Sequence, residues 1–192
     1  TKYNPVGLLT FMERLARRER REVPPDPGIF QTHPLSRERV ARLVELLVKA
    51  GVRLNRRATT KWRKPEVAEV EVAGKKWPAV KWWDCVIYVA VGADAKKARA
   101  KAEQVCKALT EALAEGAGSM DFDVQRDADG RYWLVAGERR IADFGPQEAS
   151  ALGKKPEELA AQALNAVRRA LMAERLAYRL ARKVRALEAW VR

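Results

Sequence analysis

Between residues 51 and 67 the spacing of apolar residues changes, and this change limits the fold more than any motif does. Before it, apolar residues recur every three or four positions: Leu8, Leu9, Met12, Leu15 and Ala16 in one segment, Val40, Leu43, Val44 and Leu47 in the next. After it, Val67 to Val72 alternate apolar with polar. The first spacing makes one face of a helix and the second a half-buried strand. A chain that carries both in separate blocks belongs to the α+β class, with a helical pair followed by an antiparallel sheet that has helices on one face.

Local signals place the elements. Asn4-Pro5 opens a helix, Asn as cap and Pro in the first turn, and Val23-Pro24-Pro25-Asp26-Pro27-Gly28 prevents its continuing past about Glu22. Ser36 caps a second helix, which Gly51 stops. Residues 52–66 are basic and without period, and read as a linker. Beyond it, Val67–Val72, Trp77–Trp83 and Cys85–Val91 read as strand, with a turn at Ala73-Gly74-Lys75-Lys76. Asp94 caps a helix that runs to about Glu115. Phe122–Val124 and Tyr132–Val135 flank the turn Asp127-Ala128-Asp129-Gly130, a strong hairpin signal. Arg139–Ala142 follows, then a short helix near Pro146–Leu152. Pro156 opens a final helix of about 35 residues, roughly 50 Å long. Residues 67–115 and 121–172 share a plan of strands followed by a helix, which suggests a duplicated ββα unit. The expected division is 1–51 as a helical segment, 52–66 as linker and 67–192 as an α+β module.

Composition then narrows the chemistry. With 47% apolar residues the chain folds, and its net charge of +13 favours anionic partners such as nucleic acid, phospholipid head groups or acidic polymers. A solvated surface explains the same charge. No run of about 18 apolar residues is present to cross a membrane. The chain starts at Thr1 rather than Met and reads as a piece of something longer. Cys85 and Cys106 lack CxxC spacing and leave open either buried thiols or one disulfide. His33 is the sole histidine, so a Cys/His zinc site, an HExxH site or a complete hydrolytic zinc centre cannot be assembled from this chain alone. A His before Pro in a loop is commonly structural or exposed.

Three pieces in order change that reading of His33. Tyr3-Asn4-Pro5-Val6-Gly7 is followed by Phe11-Met12-Glu13-Arg14-Leu15, then by Thr32-His33-Pro34, with Arg39 six residues after His33. This set resembles the last part of the M48 family of zinc metallopeptidases, over about residues 1–47, a quarter of the chain. The resemblance implies that the His-Pro loop covers a zinc cleft and that His33 is a candidate regulatory metal ligand. It also implies that Arg39 faces the cleft, where a guanidinium can stabilise the oxyanion of peptide hydrolysis. The plain alternative for Arg39 is an exposed helix residue. The family's HExxH and its third ligand, a glutamate, would lie upstream of Thr1, so the chain departs from the family pattern there and would be inactive alone. By the same resemblance the compartment is the bacterial cell envelope or periplasm.

The second region offers weaker candidates. Trp62, Trp77, Trp82 and Trp83 lie among Lys61, Arg63, Lys64, Lys75, Lys76 and Lys81. Aromatic rings among basic side chains can stack on bases while the charges hold phosphates, which makes Trp62, Lys64, Lys76 and Trp82 candidate binding residues. Trp in a sheet core and Lys on its solvent face is the competing reading. Asp121, Asp123, Asp127 and Asp129 lack the glycine and glutamate of a calcium loop and read as turn residues. Glu174–Arg192 holds six Lys/Arg against two Glu, with Leu176, Leu180, Val184 and Leu187 on one side, which suits an anionic membrane, a partner, or packing on its own domain.

The expected function is therefore the C-terminal portion of an M48-like zinc-dependent metalloendopeptidase. Its zinc and its HExxH would be held by an upstream segment, its substrate would be protein or peptide, and residues 67–192 would be an accessory module. No zinc is expected to bind this chain alone. The rival expectation is a non-enzymatic basic binding module for nucleic acid or an anionic envelope polymer.

Overall fold

The computed structural model of the chain describes residues 5–19, 36–52, 54–57 and 62–191. The order is α1 (Pro5–Glu19), α2 (Ser36–Lys49), β1 (Glu66–Val72), β2 (Lys75–Trp82), β3 (Cys85–Val89), α3 (Ala95–Glu115), β4 (Phe122–Arg126), β5 (Tyr132–Ala136), β6 (Arg139–Phe144), α4 (Pro146–Ala151) and α5 (Pro156–Val191). The class is α+β, with a long C-terminal helix. The chain forms two compact units: residues 1–61 with 114–116, and residues 62–113 with 117–192.

In the first unit, α1 packs on α2. Val6, Leu9 and Leu47 are buried. Arg56 donates through Nε to Glu13 Oε1 at 2.8 Å, a half-buried ion pair. The outward faces stay apolar. Leu8, Phe11 and Leu15, one stripe on α1, are 57%, 60% and 36% exposed, and Leu46 and Val48 of α2 are more than half exposed.

The second unit differs from the sequence expectation in two ways. There are two sheets, not one, each a three-stranded antiparallel meander: β1-β2-β3 and β4-β5-β6. The repeated plan is therefore βββα rather than ββα. The missed turn is Trp83-Asp84, which joins β2 to β3 with Trp82 paired to Cys85. Trp83 has φ 54°, a left-handed conformation that hairpin loops ordinarily give to Gly or Asn, so the sequence carries no punctuation there. The β1–β2 turn is Ala73-Gly74, both left-handed at φ 52° and 73°, as a two-residue hairpin loop requires.

A single core joins both sheets to α3 and α5. Alternating residues of each sheet enter it: Val80, Trp82, Tyr88, Phe122, Leu134 and Phe144. From α3 come Ala98, Ala102, Val105, Leu109 and Leu113, and from α5 Leu159, Ala163, Val167 and Leu171, each set at helical spacing. Cys85 and Cys106 are separate free thiols, and burial pushes the Cys106 thiol up. No described helix is long and apolar enough to cross a membrane.

Candidate functional site

The two residues carried over from the peptidase resemblance fare differently. His33, with Thr32 and Pro34, lies outside the described residues. Arg39 is in the first turn of α2 and is exposed. Among the described residues no group of three or more His, Cys, Asp or Glu converges as a metal site.

The four candidate binding residues do not form one surface. Trp82 is 1% exposed and its Nε1 donates to the Arg63 carbonyl at 2.7 Å, so no ring face is left for a ligand to stack on. Trp62 is half-buried against the core. Lys64 and Lys76 are exposed, but Lys76 lies six residues along β2 from Trp82, about 20 Å away. Lys76 sits directly opposite Glu71, and Lys81 opposite Glu66, so acids balance the basic residues of this sheet across the strands. The sheet reading of these tryptophans and lysines holds for Trp82, Lys76 and Lys81.

The aspartates serve the turns. Asp127 accepts from the Asp129 and Arg131 backbone N–H groups at 3.1 and 2.9 Å and from Trp133 Nε1 at 2.8 Å. The Trp133 bond, ahead of the backbone bonds, holds its carboxyl below the usual range.

The structure assembles a constellation that the sequence did not reveal. Lys101 of α3 donates to Glu148 of α4 at 2.7 Å and pairs with Asp143 of β6 at 3.1 Å. Arg131 approaches Asp143 at 3.5 Å. The Lys101 ammonium also stands 5.9 Å over the Tyr88 ring of β3. Glu148 accepts from the Gly145 N–H at 3.1 Å, which fixes the start of α4. A β-carbon at Gly145 would meet the end of the Arg131 side chain at 2.7 Å and the Glu148 carboxylate at 3.0 Å, so both would have to shift. The one sequence signal was Gly145-Pro146-Gln147-Glu148, an acid three residues after a helix start.

Electrostatics decide what this cluster can do. Burial pushes the Tyr88 hydroxyl up to about 12, against the opposing pull of Lys101. Burial opposes the charge on Lys101, but Glu148, Tyr88 and Asp143 together outweigh it and the ammonium is held above the usual lysine range. Burial likewise opposes the charge on Glu148, and the Lys101 and Gly145 bonds outweigh it, so that its carboxyl is lowered. None of these three groups exchanges a proton near neutral pH, as a general acid or base must. The cluster is a fixed tie between the first βββα repeat and the second. Beside it, Val70, Val72, Ile87, Tyr88, Phe144 and Leu159 line a mostly apolar cavity of 300 Å³. Among the described residues the buried Tyr88 hydroxyl has no partner of good hydrogen-bond geometry.

No protein-family model, curated protein or solved structure matches the chain.

Proposed function

We propose that this chain is the C-terminal portion of an M48-like zinc metalloendopeptidase, residues 1–51 being the last helices of its catalytic domain. The observation that carries the reading is the apolar stripe Leu8, Phe11 and Leu15 on α1, exposed beside Leu46 and Val48 of α2. A helical pair that buries only three large side chains and exposes five is part of a larger core. The ordered motifs of residues 3–39 supply the identity of that core, and α1 and α2 run where those motifs need helices. An upstream segment would cover the stripe and hold zinc through HExxH and a glutamate. His33 would reach the metal from the loop and Arg39 would line the cleft. Zinc held by that segment would supply activation of a water for peptide hydrolysis. The second unit, whose Lys101–Glu148 tie has no group poised for proton transfer, would be an accessory module.

The test is the coding sequence upstream of Thr1, followed by expression of the longer protein. An HExxH helix and a glutamate-bearing helix there, zinc-dependent cleavage of casein, and a changed cleavage rate in His33→Ala are expected. A frame without those ligands, or a longer protein that cleaves nothing with zinc present, overturns the reading.

A further inference from the structure

The outward face of α5 has no use in the core, and its composition is specific. Asn165, Arg169, Met172 and Leu176 follow one another at helical spacing and are all exposed. With Met120 from the loop before β4, Asn165, Arg169 and Met172 border an open groove that also includes Arg168 and Arg175. Met120 is 90% exposed and Met172 72%, and Leu176 and Leu180, each more than half exposed, extend the apolar surface along the helix. Arg179 adds another exposed cation on the same face. Asp121, in the loop that carries Met120, has its carboxylate bound to the Gly118 N–H at 2.7 Å.

Two methionines that project into water, surrounded by arginines, are poor stacking platforms for bases and poor candidates for burial against a second copy of a chain of net charge +13. The combination suits a surface that is anionic at its boundary and apolar just beneath. We propose that this face of α5 docks on an anionic phospholipid bilayer, with Met120, Met172 and Leu176 entering the acyl boundary while Arg169, Arg175 and Arg179 meet the head groups. Gln162 to Leu180 span about 27 Å of helix, long enough to lie along the interface. The inference is independent of the peptidase reading, since it uses only the second unit.

The test is co-sedimentation of the full chain with vesicles of phosphatidylcholine alone and with about one third phosphatidylglycerol. Binding to the anionic vesicles only, weakening as NaCl rises, is expected. Each arginine removed should weaken it about five-fold, so Arg169→Gln/Arg175→Gln should lose about 25-fold. Arg168 is left intact because it donates to the Phe122 carbonyl at 3.3 Å. Met172→Asp should weaken binding further, and Met172→Trp should show a blue-shifted emission gained only with anionic vesicles. Failure to sediment with anionic vesicles overturns the proposal, as does sedimentation that these variants leave unchanged. Binding to polyuridylate or polyglutamate in place of vesicles, indifferent to Met172→Asp, also overturns it and makes the face a polyanion site.

Discussion

The two units of this chain are made of similar residues and solve the problem of burial differently. The helical unit hides Val6, Leu9 and Leu47 and leaves Leu8, Phe11, Leu15, Leu46 and Val48 facing outward. The βββα unit places Trp82, Tyr88, Phe122, Leu134 and Val167 within 2% of complete burial. Amphipathic helices of 15 and 14 residues can each satisfy their own backbone, but two of them cannot enclose a core. Two meanders backed by long helices can. The first unit leaves apolar surface uncovered, and the second encloses its own core.

The largest contrast should appear on truncating one side chain in each. Leu134→Ala, at a fully buried position of β5, should cost about 3 kcal/mol in a denaturant titration. Phe11→Ala should change the same titration by less than about 0.5 kcal/mol. A loss at Phe11 comparable to that at Leu134 would show that the first unit already has its full core.

Next comes the charged tie. Glu148→Gln keeps the shape and removes the charge that Lys101 is paired with, and should cost about 2 kcal/mol at neutral pH. The folded carboxyl is lowered, so its contribution is present above the unfolded value of about 4.3 and is lost as pH falls through the folded value. Wild type and Glu148→Gln should therefore converge in acid. Tyr88 and Lys101 are raised, so their contribution is present below about pH 10 and is lost only in strong alkali. Melting temperature against pH for both proteins checks the whole window, and a difference that persists at pH 3 would remove the ionic account of the tie.

A smaller loss, about 1 kcal/mol, should follow Gly145→Ala, because the new methyl displaces Arg131 and crowds Glu148. The smallest effect is a gain. Ala73→Asn suits the left-handed position of the β1–β2 hairpin and should add about 0.5 kcal/mol in thermal unfolding.

Period carried most of the fold. Val67–Val72, the Asp127–Gly130 turn and the starts of α3 and α5 were legible because each signal is local. The turn between β2 and β3 was not, because Trp83-Asp84 makes a tight turn from residues that do not advertise one. The charged tie was invisible for a different reason. Its members are Tyr88, Lys101, Arg131, Asp143 and Glu148, and each sits in an ordinary local setting. Only the superposition of two repeats gathers them. Trp62, Lys64, Lys76 and Trp82 were grouped by nearness in sequence, and the strand separated what the sequence had placed together.

The packing of α5 on β3 also sets an order in time. Tyr88 and Ile87 share a cavity wall with Leu159 and Ala163, which are made about 70 residues later. At about 5–20 residues per second a ribosome needs roughly 4–14 s to deliver them. The part of the first meander that α5 covers therefore emerges uncovered, and a nascent chain arrested before Pro156 should be the form that chaperones hold and proteases cut.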